Sequence, residues 1–222
     1  MPAPEATRRA LCWLLLIMLS LAVPTESRAR IDLPLLQRER SIPILGVTLS
    51  TAGPVGIVTA IDLYFEQRSD HSGLMMTFPS GRGKFSHKAE TSVQQAIYRA
   101  ARAAKLSTDS WTVRLSAPDD VIVYGDSLSA MIGLSVIALA KNESILDGRV
   151  ITGGIAPDGH ITHVGGLALK LAAAKQADIR RVLVPDEVDP SEADWQTPFL
   201  MHVSRVGSIQ QAYLALTGHP LN

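Results

Sequence analysis

The feature that most constrains the fold is the run 129–140, SAMIGLSVIALA, which is apolar on nearly every side of a helix. A helix without a polar face has to be enclosed by other elements, because no side of it can face water favourably. The chain has 222 residues, of which 46% are hydrophobic, and this suffices for one domain with a real core. We therefore expect one globular domain built around this helix.

Strand-like segments come first along the chain and mix with helices further on. Local composition and alternation predict strands at 44–49, 56–65, 74–78, 111–115 and 181–184, and a strand pair at 149–155 and 160–164 turned by Pro157-Asp158-Gly159. Apolar residues at helical spacing predict helices at 91–106, 129–140, 167–177 and 209–216. Because there is no strict βαβ repeat, this order favours an α+β fold with mixed sheets and helices packed against them.

The N-terminal residues have the pattern of a secretory signal. Arg8 and Arg9 precede an apolar run at 10–23, and Ser27-Arg28-Ala29 places small residues where a signal peptidase reads. The run has 14 residues, shorter than the roughly 17–25 of a membrane-spanning helix. We predict a signal peptide at 1–29, a linker at 30–41 and a folded domain at 42–222. The domain would be periplasmic or extracellular, or tethered to the membrane if the segment is retained as an anchor.

Charge and cysteine content exclude several classes of function. The 21 basic and 21 acidic residues balance, and cleavage after Ala29 would leave 18 and 19. Without a basic stripe, nucleic acid is not an expected partner. The single cysteine, Cys12, lies in the signal segment, so the mature domain would have neither disulfides nor a cysteine nucleophile.

Two glycine-led segments carry the candidate chemistry. Gly125-Asp126-Ser127 presents a serine at the start of the apolar helix, where unpaired backbone N–H groups suit an oxyanion. Gly165-Gly166 opens another helix that carries Lys170 among leucines and alanines. Lysine acts as a base only when neutral, so its pKa must fall from about 10.4 towards about 7–8, which burial can achieve.

Each of these residues also has a purely structural interpretation. Asp126 or Ser127 fits a helix N-cap, and Lys170 fits a solvated helix lysine. His160 and His163 resemble a metal-ligand pair, but in a strand they would point to opposite faces, so we expect neither a metal nor a cofactor.

The combination of these motifs resembles the proteolytic domain of Lon proteases. The resemblance rests on Gly-Asp-Ser at 125–127, Val-Ile-Thr-Gly at 150–153, Val-Gly-Gly-Leu at 164–167 with Lys170, and the ending at 179–185. It implies the Lon fold, Ser127 as nucleophile, Lys170 as base and Thr152 as a residue that orients the lysine. Asp126, as in archaeal Lon, is expected to shape the turn or to pair transiently. Lon-like domains form rings, which implies a homo-oligomer.

The chain also departs from Lon proteases. Gly154 stands where an acidic or small polar residue is usual, and the loop 119–124 is shorter than in bacterial Lon. No Gly-x-x-x-x-Gly-Lys-Ser/Thr run occurs, so the sequence has no phosphate loop. We expect an endopeptidase that cleaves unfolded or flexible polypeptides without an ATPase of its own. The alternative is a non-catalytic peptide-binding or regulatory domain with a Lon-like fold.

Overall fold

The computed structural model describes residues 37–79, 83–118, 120–187 and 197–222. The predicted signal peptide and most of the predicted linker lie outside these residues. Eleven strands and four helices are described. The strands are β1 Gln37–Ser50, β2 Gly53–Gln67, β3 Met75–Thr77, β4 Lys84–Phe85, β5 Trp111–Ser116, β6 Ile122–Val123, β7 Arg149–Ile151, β8 Gly154–Ile155, β9 Ile161–Thr162, β10 Arg181–Pro185 and β11 His202–Val206. The helices are α1 His87–Ala103, α2 Ser129–Ala140, α3 Leu167–Gln176 and α4 Ile209–Thr217.

A four-stranded sheet with the order β1-β2-β5-β3 forms one wall of the domain. β1 and β2 form a long antiparallel hairpin. Gln37 pairs with Glu66 at its open end, and Ser50 pairs with Gly53 at the turn. β1 begins at Gln37, so part of the predicted linker is strand. The middle of the hairpin is buried, whereas its tip is exposed, with Leu49 84% accessible. As an edge strand, β1 leaves its outer backbone groups available to another extended chain.

The apolar run forms α2 with the predicted bounds. All its residues from Ser129 to Leu139 are buried, and the helix packs against α1, β1, β2 and β8. Burying one leucine or isoleucine side chain contributes about 1.5–3 kcal/mol, so α2 is a principal source of the core's stability. Its position at the centre fixes where its N-terminal end, and therefore the preceding loop, must lie.

The other helices have sequence-encoded ends. α1 begins earlier than predicted because the Ser86 side chain caps it by accepting from the Ala89 N–H at 3.2 Å. Its buried stripe faces α2 and consists of Ala89, Val93, Ala96, Ile97, Ala100 and Ala101. α4 begins at the predicted residue and ends at Thr217, one residue later than predicted, with Ser208 as its N-cap and the left-handed Gly218 after it. α3 packs on the hairpin formed by β1 and β2.

A second, all-parallel sheet has the order β11-β10-β7. The sequence prediction was wrong for the run 149–155, which is not one strand. β7 joins this sheet, whereas β8 pairs with β9 in a separate hairpin. The Thr152 N–H still donates to Leu183 O in the ladder with β10, and the break comes at Gly153, whose N–H donates to Ser127 O instead. The mixture of helices with parallel and antiparallel sheets is the expected α+β fold.

Over the described ranges, no helix combines the length and apolarity needed to span a membrane.

Candidate active site

Ser127 lies in the loop that leads into the buried helix α2. The turn is closed by the Ser129 N–H, which donates to Asp126 O at 2.9 Å. Ser127 itself is half-buried. Since α2 is enclosed by the core, the loop before it is held at a fixed place while its serine stays accessible.

Lys170 reaches the same place from α3. Gly166, which precedes α3, has a left-handed backbone conformation with φ of +69°. A Cβ atom there would lie 2.7 Å from Val47 Cγ2, so glycine is required for both its conformation and its size. Lys170, one turn into the helix, is only 4% accessible, which makes it a buried amine rather than a solvated helix lysine.

The structure brings Ser127, Thr152 and Lys170 together. Lys170 Nζ lies 3.1 Å from Ser127 Oγ and 3.3 Å from Thr152 Oγ1. Thr152 is 1% accessible and follows directly after β7. Its hydroxyl is therefore held beside the Lys170 amine and does not face solvent. The arrangement holds an amine and an alcohol in hydrogen-bond contact, with a second hydroxyl fixing the amine.

The backbone around Gly153 locks the nucleophile loop to the neighbouring strand. The Gly153 N–H donates to Ser127 O at 2.7 Å, and the Ala130 N–H donates to Gly153 O at 3.0 Å. These bonds tie the start of α2 to the residue after Thr152. The sequence does not reveal this role of Gly153. Its N–H donates to Ser127 O only because the chain breaks between β7 and β8.

Asp126 does not join the group formed by the other three predicted residues. Its carboxylate lies 3.8 Å from Lys88 Nζ, and both side chains are more than half exposed. Its backbone carbonyl closes the turn by accepting from Ser129. The turn-shaping part of the expectation for Asp126 thus has a structural basis, and Lys88 is a partner that the sequence did not reveal.

An apolar cleft of about 220 Å³ opens beside Ser127 and Lys170. Two extended segments, 44–47 of β1 and 121–124 around β6, line it. Tyr124 at its rim is 70% exposed. We refer to this feature as the apolar cleft. It offers an apolar surface beside the Ser127 hydroxyl and the Lys170 amine.

The two histidines lie in different surroundings. His160 Nε2 lies 3.3 Å from Asp186 Oδ1, while His163 is exposed. No cluster of three potential metal ligands occurs among the residues that the structure describes. The His160–Asp186 pair was not anticipated from the sequence. The backbone of His160 forms a bridge with Ser208, and no described contact of the pair involves Ser127.

Comparison with known proteins identifies the family. The Lon protease (S16) C-terminal proteolytic domain matches residues 83–197, slightly more than half of the chain. The chain belongs to the Lon proteolytic domain family. This confirms the resemblance and the α+β fold, and family membership supports a serine peptidase function.

A curated relative of this Lon-family chain has the name Lon protease 2 and comes from Hydrogenovibrio crunogenus. The two are 31% identical over 80 residues, which cover 36% of the present chain and 9% of the relative. The chain therefore matches a small part of that protein's length, and the similarity concerns the proteolytic domain.

Proposed function

We propose that the chain is a Lon-type serine endopeptidase in which Ser127 is the nucleophile and Lys170 is the general base. The observation that carries the proposal is the 3.1 Å contact between Lys170 Nζ and Ser127 Oγ, made by a lysine that is 4% accessible. Burial disfavours the ammonium form, so it favours the neutral amine that a base requires. Contact between base and nucleophile is the geometry of an activated serine.

In the proposed reaction, neutral Lys170 accepts the proton of Ser127 Oγ as that oxygen attacks the peptide carbonyl carbon. The resulting tetrahedral intermediate collapses when the C–N bond breaks, and the lysine ammonium gives its proton to the departing amine. Water then attacks the carbonyl carbon of the acyl-serine ester while Lys170 accepts a proton from it. The bond between that carbon and Ser127 Oγ breaks, Lys170 returns the proton to Oγ, and the carboxylic acid product leaves. Thr152 acts as a positioning residue, because its hydroxyl holds Nζ beside Oγ.

The start of α2 supplies donors for the oxyanion. The Ser129 and Ala130 N–H groups are used by Asp126 O and Gly153 O. Among the described residues, nothing accepts from the N–H groups of Ser127 and Leu128. We assign these two amides to the developing oxyanion, since an N–H donor aimed at the oxyanion stabilises the transition state.

The proposed substrate is an unfolded or flexible polypeptide that binds in extended form. The outer edge of β1 borders the apolar cleft at 44–47, where an added strand can pair with its backbone. The 222 residues contain no phosphate loop, so we propose that cleavage by this chain requires no nucleotide. Export, with the N-terminal segment either removed or retained as an anchor, and assembly into a homo-oligomeric ring are part of the same proposal.

The test is digestion of an unfolded protein such as casein without ATP, at pH values from about 7 to 10. The parent chain is compared with Ser127→Ala, Lys170→Ala and Lys175→Ala. Lys175 lies on the same helix and is exposed, so it controls for the loss of a lysine. We expect cleavage by the parent and by Lys175→Ala, and none by the other two. A folded parent that leaves casein intact throughout this range would refute the peptidase proposal.

A further inference from the structure

A second cavity borders the loop that carries Ser127. It has a volume of about 220 Å³ and is bordered by α1, by Asp126 of the loop, by Ser129 at the start of α2, and by the residues around β8 and β9. We refer to it as the polar cavity. Its lining differs from that of the apolar cleft, since it includes the side chains of Ser92, Gln95, Arg99, Asp126, Ser129 and Thr162.

The Ser129 hydroxyl is the strongest sign that the polar cavity receives a ligand. Ser129 is 2% accessible, and its Oγ has no hydrogen-bond partner within the described parts of the chain. Oγ lies on the cavity side, 3.7 Å from the position of a Cβ atom built on Gly154. Since this Oγ lines the polar cavity and donates to no described residue, it can donate a hydrogen bond to a ligand that offers an acceptor.

The remaining polar groups make the polar cavity rich in donors. Thr162 Oγ1 accepts from the Gly154 N–H at 3.1 Å, which leaves its own O–H free to donate. Arg99 donates to Ile155 O and to Gln95 Oε1, so the Gln95 amide N–H groups and the guanidinium charge remain for a ligand. Asp126 is the carboxylate among the lining residues, and Lys88 lies against it.

The position of the polar cavity next to Ser127 assigns it to the substrate. Asp126 borders the polar cavity and Ser127 borders the apolar cleft, and consecutive Cα atoms are about 3.8 Å apart. Successive residues of an extended peptide are separated by about 3.3 Å. An extended peptide that lies across this turn with one side chain in the apolar cleft can place a neighbouring side chain in the polar cavity.

We propose that the polar cavity is a second substrate subsite that accepts an Asp, Glu, Asn or Gln side chain next to an apolar residue. These side chains carry the oxygen acceptors that Ser129, Thr162, Gln95 and Arg99 can satisfy. The proposal rests on the proposed function of the Ser127 site. Gly154 contributes by its lack of a side chain, because a Cβ atom there would lie 2.5 Å from Thr162 Oγ1.

The test measures peptide binding, so that it does not depend on turnover. The full chain carrying Ser127→Ala is titrated with fluorescein-labelled octapeptides that contain one leucine, with Glu, Gln, Leu or Lys either before or after it. Fluorescence anisotropy gives the Kd of each peptide. In one of the two series, we expect the Glu and Gln peptides to bind about tenfold more tightly than the Leu peptide, as one or two hydrogen bonds would give.

Two matched pairs of variants test whether the binding preference arises in the polar cavity. Ser129→Ala should remove most of the preference, whereas Ser135→Ala should preserve it. Both serines lie on α2 and are 2% accessible, but Ser135 borders a different cavity. Arg99→Gln should weaken binding of the Glu peptide, whereas Arg102→Gln should not, although both arginines donate to carbonyls of the 155–157 loop.

The outcomes separate the two proposals. The subsite is refuted if Glu, Gln and Leu peptides bind equally in both series, if no peptide binds, or if the preference survives Ser129→Ala and Arg99→Gln. If instead the preference is present and depends on Ser129, the subsite stands, even where the parent fails to digest casein. That second failure would overturn the catalytic proposal alone.

Discussion

At the scale of single residues, the site depends on one buried amine and the hydroxyls around it. Lys170 has two hydroxyl oxygens within 3.3 Å of Nζ and is shielded from bulk water. This environment differs from that of Lys175, five residues along the same helix, which is exposed. The difference in burial, rather than the residue type, distinguishes a candidate base from a surface charge.

Thr152 provides a test at this scale. Thr152→Val removes the hydroxyl that lies 3.3 Å from Lys170 Nζ while keeping a similar shape in a buried position. The loss of one hydrogen bond to the base should lower kcat about tenfold, corresponding to about 1.4 kcal/mol, with little change in KM. Steady-state cleavage of a fluorogenic peptide measures this split. Thr152→Ser should recover most of kcat, and a Thr152→Val enzyme as fast as the parent would show that the hydroxyl does not position Lys170.

At the scale of the elements, the position of Lys170 depends on how closely α3 approaches the hairpin. A Cβ atom on Gly56 would lie 1.9 Å from Leu169 O, the residue before the lysine. The helix backbone can therefore contact β2 only where the strand has glycine.

Gly56→Ala should consequently push α3 away from β2 and disturb the site. We expect overpacking to lower the free energy of unfolding by about 1–3 kcal/mol and peptidase activity to fall with it. Urea unfolding and peptide cleavage measure the two effects. For unfolding, Gly46→Ala is the control on the same hairpin, since its Cβ would lie 3.3 Å from the Ile57 side chain and not against backbone. It is not a control for cleavage, because Gly46 also lines the apolar cleft. Equal losses of unfolding free energy in the two variants would contradict the proposed contact.

A polar cluster joins the end of α2 to α4. The Tyr213 hydroxyl donates to Glu143 Oε2 at 2.7 Å, and Lys141 Nζ lies 3.2 Å from Glu143 Oε1. Burial raises the pKa of Glu143, but the hydrogen bonds from Tyr213 and Lys141 outweigh it, so the pKa falls below its ordinary value of 4.5. Burial, and then the neighbouring Glu143 carboxylate, raise the pKa of Tyr213.

This cluster predicts a specific acid sensitivity. Because the folded-state pKa of Glu143 is lowered, its stabilisation is present above pH 4.5 and is lost as the pH falls through the folded-state value. Glu143→Gln should therefore lower the free energy of unfolding at pH 7 and make it depend less on pH below 4.5. Urea unfolding at several pH values checks this. An unchanged acid slope in Glu143→Gln would show that other carboxyl groups control it.

The sequence predicted correctly those elements whose own apolar pattern determines their structure. α2 is apolar on all sides, and its bounds were correct. β11 was missed because its sequence, HVSRV, alternates polar residues and has little apolar character. The break after β7 was missed because it depends on the hydrogen bond from the Gly153 N–H to Ser127 O, and Ser127 is distant in sequence.

The site was predictable to a similar extent. Family motifs indicated Ser127, Thr152 and Lys170, and the structure brings these three together. The polar cavity could not be predicted, because it forms only when α1, the nucleophile loop and the hairpin of β8 and β9 pack together. Sequence spacing gives no information on such a three-way contact.

At the scale of the whole molecule, we propose that the domain acts after export. If the predicted signal is removed, the mature protein should begin at Arg30. Edman sequencing or intact-mass measurement of the protein recovered from the periplasm or medium would reveal this terminus. Recovery of the full 222-residue mass in the membrane fraction would instead indicate a retained anchor.

The central claim is that Ser127 is a nucleophile activated by Lys170, and covalent trapping tests it most directly. The parent chain, Lys170→Ala and Lys175→Ala are treated with a fluorophosphonate, and the adduct is located by peptide mass spectrometry. We predict a single adduct, on Ser127. It should form at similar rates in the parent and in Lys175→Ala. In Lys170→Ala it should form at least about a hundredfold more slowly, in line with the usual contribution of a general base. An adduct on another residue, or equal labelling of Ser127 without Lys170, would contradict it.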